Sequence, residues 1–128
     1  LIELKQLIRF PATFKEREKL VDQVKLTSII PTKTDYGFEI KSQTNKYKQI
    51  MEIHDSKISV KSPVKVSCDC ESFKYEFCNA IYKAGSLVNA FSFLRSIISR
   101  PKEKNQYNVI SGCKHLIKMS REVLKIKV

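Results

Sequence analysis

Two tight pairs of residues carry the chemistry of this sequence: Cys68-Asp69-Cys70 and, far downstream, Cys113-Lys114-His115. Three thiolates and one imidazole are the donor set that a tetrahedral zinc ion takes. In an extended segment, residues i and i+2 face the same way, so Cys68 and Cys70 can address one ion while Asp69 points away. Cys113 and His115 fall where a loop is expected to become a helix, and the unpaired N–H groups of a helix start favour a thiolate. Three thiolates around a divalent ion leave a net charge of about −1. Lys65, Lys74, Lys114 and Lys118 are close enough in sequence to offset it. Such a site would close the 42-residue stretch from Glu71 to Gly112. A structural zinc contributes on the order of 10 kcal/mol to folding, and tying the ends of so long a stretch removes entropy from the unfolded chain.

Other uses of these residues stand beside this one. Free cysteines often serve as small buried apolar side chains. Cys78 is expected to be one of these, on an aromatic segment, and His54 is expected to be an exposed strand histidine. Either can replace a ligand if the pairing is different. Four cysteines can also form two disulfides in a secreted domain. Cysteines one residue apart rarely bond each other, however, and no signal-peptide core follows a basic start. A reducing compartment is therefore expected.

The elements that must position the pairs can be read from periodicity. Tyr36, Phe38 and Ile40 alternate with polar residues, Ser42-Gln43-Thr44-Asn45 reads as a turn, and Tyr47, Gln49, Met51 and Ile53 alternate again. That is a β-hairpin pattern. Val64 and Val66 lead as a strand into Cys68, and Pro63 predicts an edge position or a break. Phe73, Tyr75 and Phe77 fit either a strand or, through Phe73 and Phe77, one helix face. Residues 79–84 are helix-compatible, residues 87–99 have the apolar spacing of a helix, and residues 101–108 read as a loop. Leu116, Met119, Val123 and Ile126 predict a helix over 114–126. Upstream, Leu1, Leu4, Leu7 and Ile8 share a helical face until Pro11, and Leu20, Val21 and Val24 form a second short stripe. Pro31 and the polar residues after it read as a linker. Residues 1–32 are thus expected to be a helical arm, with packing on the sheet as the competing outcome, and residues 33–128 the metal-binding domain. The fold class is α+β: a small antiparallel sheet leading into the Cys/His site, followed by a C-terminal helix.

The 128 residues are enough for one domain with a modest core. No apolar run reaches the length of a membrane span. Leu1 in place of an initiator Met leads us to expect that preceding residues are missing or processed. The net charge of +11 attracts phosphate or acidic protein surfaces. Nineteen of the 24 basic residues are Lys and only five are Arg; Arg is the usual reader of guanine edges. Charge-directed binding is therefore favoured over base readout. The candidate nucleic-acid residues are Lys46, Tyr47, Lys48, Lys57, Lys61 and Lys65, with plain strand packing as the simpler role for Tyr47. A catalytic zinc needs an open position for water, and four protein ligands leave none. No phosphate loop, His-Glu-x-x-His or serine triad pattern is present. The expectation is a non-enzymatic protein without a small-molecule substrate.

Cys68-x-Cys70-x-x-Phe73 followed by Cys113-x-His115-Leu116 resembles the SWIM-type zinc finger. In that family a hairpin leads into Cys-x-Cys and Cys-x-His begins a helix. The resemblance spans roughly residues 36–126 and implies zinc on Cys68, Cys70, Cys113 and His115. It also implies DNA-binding or protein–protein contacts. The chain departs from the family in a long insertion at about 78–112, whose Phe91, Phe93, Leu94, Ile97 and Ile98 are expected to pack as a small lobe. With that insertion the motif also resembles small virion proteins of tailed bacteriophages. This implies a structural protein in the virion or host cytoplasm, with capsid, neck or tail proteins as partners and DNA as the alternative one.

Overall fold

The computed structural model describes residues 1–91 and 109–126, apart from the side chain of Thr13. The described residues form an α+β fold around a five-stranded antiparallel sheet of order β1-β5-β4-β3-β2. The strands are β1 (Ile2–Glu3), β2 (Ser28–Lys33), β3 (Phe38–Gln43), β4 (Lys48–Ile53) and β5 (Pro63–Cys68). The helices are α1 (Glu18–Val21), α2 (Cys78–Lys83) and α3 (Lys114–Val123), with 3₁₀ turns at Leu4–Leu7 and Ala12–Arg17 and a π turn at Phe73–Phe77.

Alternation decides which face of the sheet is buried. The register sets Phe38 opposite Ile53, Ile40 opposite Met51, and Met51 opposite Val66. All five are buried, because side chains two apart share a face. Against this face pack Phe73, Phe77, Ile81 and the inner side of α3, comprising Leu116, Ile117, Met119 and Val123. The expected hairpin is β3–β4, and Val64 and Val66 are buried in β5 as their pattern implies. Gly37, in the β2–β3 turn, has φ +143°, and a Cβ there would run into the Ile53 carbonyl. That position needs glycine.

Four expectations change. Residues 1–10 do not form a helix: Ile2 and Glu3 pair with Val64 and Pro63, and Leu4 and Leu7 follow in a 3₁₀ turn, fully buried. Residues 1–32 therefore pack within the common core, the competing outcome of the sequence reading, instead of extending as a helical arm. Arg121 fixes this segment on α3, its Nε donating to the Ile8 carbonyl and its Nη2 to Glu18 Oε2, each at 2.7 Å. Arg17 does the same on the π turn, reaching Glu76 Oε2 at 2.8 Å and lying over the Phe14 ring at 4.7 Å.

The expected linker at Pro31 is strand β2. The Thr34 N–H donates to the Gly37 carbonyl at 2.9 Å. That phase turns the even-numbered β2 residues towards β3 and leaves Pro31, which has no N–H, facing the open edge. Pro63 marks a break, not an edge: it is the first residue of β5, which lies between β1 and β4. Residues 87–91 are not helical; Leu87 bridges Val66 in parallel, and the Val88 N–H donates to the Val66 carbonyl at 3.0 Å. The rest of the expected insertion lobe, with Phe93, Leu94, Ile97 and Ile98, lies outside the described residues. Phe73 and Phe77 share a helical face, which settles the open choice for that segment. Among the described residues no helix is long and apolar enough to cross a membrane.

If residues 1–32 belong to the same core, Leu7→Ala should destabilise the whole protein by about 2–5 kcal/mol. Denaturant unfolding should remain a single transition. A two-step curve, with the N-terminal segment lost first, would show a separate arm.

Candidate metal centre

The end of β5 and the start of α3 deliver the two ligand pairs to one point. The donor atoms of Cys68, Cys70, Cys113 and His115 all lie within 4.8 Å of one another, and all four residues are buried. Cys68 closes β5 opposite Gln49 of β4. Asp69 points away as expected: its Oδ1 accepts the Lys48 N–H at 2.8 Å, and its own N–H donates to the Lys48 carbonyl at 3.2 Å. Those two bonds fasten the Cys-x-Cys segment to β4. Cys70 then sits at the head of the π turn, where the Phe73 N–H lies 3.4 Å from its Sγ.

On the other side, Cys113 is the N-cap of α3, with extended φ/ψ of −71° and 170°. Its carbonyl accepts the Ile117 N–H at 3.0 Å. Gly112 permits the close approach just before it, since a Cβ there would lie 2.8 Å from Leu116 Cβ. Below about 3 Å neighbouring carbons clash, so the loop has no room for a side chain at that point.

The donors fit a metal ion. All three thiols are free. The Nδ1 of His115 is buried without a hydrogen-bond partner, an arrangement that costs free energy unless the nitrogen binds something. Burial pushes the Cys68 and Cys113 thiols well above the usual cysteine range. Cys70 moves down, because the thiols of Cys113 and Cys68 donate to its sulfur. Within the cluster, ionisation is therefore favoured at Cys70 over its two neighbours. These four residues can hold a metal ion.

Supporting groups surround the donors. Gln49 Nε2 lies 3.7 Å from Cys68 Sγ, and its Oε1 accepts the Ser42 hydroxyl at 2.8 Å. The Tyr47 ring packs on the His115 ring at 5.2 Å between centroids. The sequence reading passed over Ser42 and Gln49 as supports, although a signal for them exists. Both fall at inward positions of strands whose other inward residues are apolar, and a polar group there must find a partner.

The remaining candidates fall elsewhere. Cys78 is buried at the start of α2, outside the cluster, with its thiol pushed up to about 12 by burial. His54 stacks on Tyr36 at 4.6 Å and lies 3.0 Å from Glu52. The proposed nucleic-acid residues divide into groups. Lys46, Tyr47 and Lys48 are at the β3–β4 turn, whereas Lys57 and Lys61 are in the loop after β4. The six residues of β4 separate these two groups by about 17 Å. Lys65 lies on β5 opposite Glu52.

No known protein family, characterised protein or solved structure matches the chain. The reading of the centre accordingly rests on its own geometry.

Two outcomes are expected. Gln49→Ala removes the support of Cys68 and should weaken metal affinity by roughly tenfold to a hundredfold, read by competition with a chromophoric chelator. Burial raises the Cys68 and Cys113 thiols, and a thiol must lose its proton to bind a metal, so affinity should rise steeply as pH increases through neutrality. A flat response to pH would mean that these thiols are not ligands.

Proposed function

We propose that this protein is a zinc-stabilised, non-enzymatic assembly module, a virion component of a tailed bacteriophage that acts through contacts with other proteins. The observation that carries this reading is the completeness of the centre. Three sulfurs and one nitrogen converge in a buried cluster. That is a closed structural zinc shell by donor type and number. Such a shell leaves no position for a reacting water, so its role is to hold the sheet to α3.

The resemblance to SWIM-type zinc fingers is supported by local architecture. The β3–β4 hairpin is followed by a strand ending in Cys-x-Cys, and Cys113 and His115 open a helix. The resemblance to small phage virion proteins supplies the biological setting, with capsid, neck or tail proteins as partners. A second reading, a nucleic-acid-binding module, draws on the net charge of +11. It is the weaker one, because its Lys residues are split between two ends of β4 and one faces a carboxylate.

Purified protein should contain about one zinc per chain by elemental analysis. Cys113→Ser should lose the metal and, with it, cooperative unfolding. Disulfides in place of metal would contradict the centre. The assembly role is decided separately: mass spectrometry of gradient-purified phage particles from the source culture should find this chain in fixed proportion to the other structural proteins. Its confinement to the soluble, particle-free fraction would contradict a virion role.

A further inference from the structure

Beside the metal centre, two adjoining cavities of about 320 and 480 Å³ share Tyr47, Lys114 and His115 as walls. They form one groove between the N-terminal segment and the β3–β4 turn. The smaller end has an apolar lining from Phe10, Leu20 and Tyr47. The larger end is flanked by Lys25, Lys46 and Lys114, none of which has a carboxylate partner among the described residues. The other charges on the groove are already matched: Arg17 by Glu76 at 2.8 Å, and Glu71 by Lys74 at 3.8 Å. The groove thus combines a small apolar pocket with three lysines that have no carboxylate partner among the described residues.

We propose that this groove docks an acidic segment of a partner protein, with one apolar side chain against Phe10, Leu20 and Tyr47 and flanking carboxylates on Lys25, Lys46 and Lys114. The proposal rests on the assembly reading above and names the surface through which it acts. Charge complementarity sets the sign of the partner, and the apolar pocket sets an anchor residue within the acidic stretch. A nucleic acid fits less well. Its stacking would require an exposed aromatic face, and Tyr47 is half-buried against His115. A longer polyanion crossing the outer face of the sheet would also meet Glu39 beside Glu52.

The test uses the full, metal-loaded chain and a fluorescently labelled peptide in which aspartates flank a single leucine, read by anisotropy at low salt. The wild type should bind it. The variant K25E/K46E should bind at least about tenfold more weakly, with metal content and thermal midpoint unchanged. The variant K57E/K61E carries the same change in net charge away from the groove and should lose less than about threefold. Replacing the leucine by serine, or the aspartates by asparagines, should abolish the signal. No binding to the wild type would overturn the proposal, as would equal losses in the two variants. An oligothymidylate that binds more tightly than the peptide and loses its affinity in K25E/K46E would replace the peptide with nucleic acid. None of these failures removes the assembly reading, which is decided on purified particles.

Discussion

Full ionisation of three thiols held with an imidazole within 4.8 Å of one another inside an apolar core is costly unless a cation sits among them. The rest of the fold depends on how that constraint is met. The sheet alone is a small, twisted surface with a two-residue strand at one edge. Its inner face is covered by α3 and by the Phe73–Phe77 turn, and the two ligand pairs are separated by the stretch from Glu71 to Gly112. The four donors are what join the end of β5 to the start of α3 across that stretch. A divalent ion coordinated there would offset most of the buried sulfur charge and close the loop in one step.

The N-terminal segment adds a second clasp over the same parts. Leu4 and Leu7 enter the core beside α3, and Arg121 ties both the Ile8 carbonyl and Glu18 to that helix. Arg17 reaches Glu76, which is almost fully buried and also accepts the Ser72 hydroxyl at 3.3 Å. A buried carboxylate with an arginine and a hydroxyl as partners is tolerated, whereas removing one partner leaves a charge stranded. Metal centre and N-terminal segment therefore hold the same two elements, α3 and the Phe73–Phe77 turn, from opposite ends. The groove between them is a consequence of that arrangement.

How much of this was legible in the sequence follows from the range of each interaction. The ligand pairs, the β3–β4 hairpin, β5 and α3 were readable because spacing and alternation are local properties of Cys68-x-Cys70, of Met51 and Ile53, and of Leu116 and Met119. The N-terminal strand was not readable. Leu1, Leu4, Leu7 and Ile8 have helical spacing, and only the pairing of Ile2 with Val64, more than sixty residues away, overrides it. Strand β2 was hidden for a different reason: as an edge strand exposed over Pro31–Lys33 it carries no hydrophobic alternation there. Pro31, which reads as a breaker, is compatible with an edge because its missing N–H faces outward. The supports of the centre were half-visible, since Gln49 stands out as a polar residue on an apolar face but its partner cannot be named without the register.

We propose that Cys68, Cys70, Cys113 and His115, which among the described residues converge on one point, form a closed shell around a single zinc ion. X-ray absorption at the zinc edge of the purified protein measures that shell directly. It should give three sulfurs at about 2.3 Å and one nitrogen at about 2.0–2.1 Å. A shell of four sulfurs would bring Cys78 into the site in place of His115. A shell with a light-atom water position would describe an open centre. Either result would contradict the structure of the site as derived from this fold.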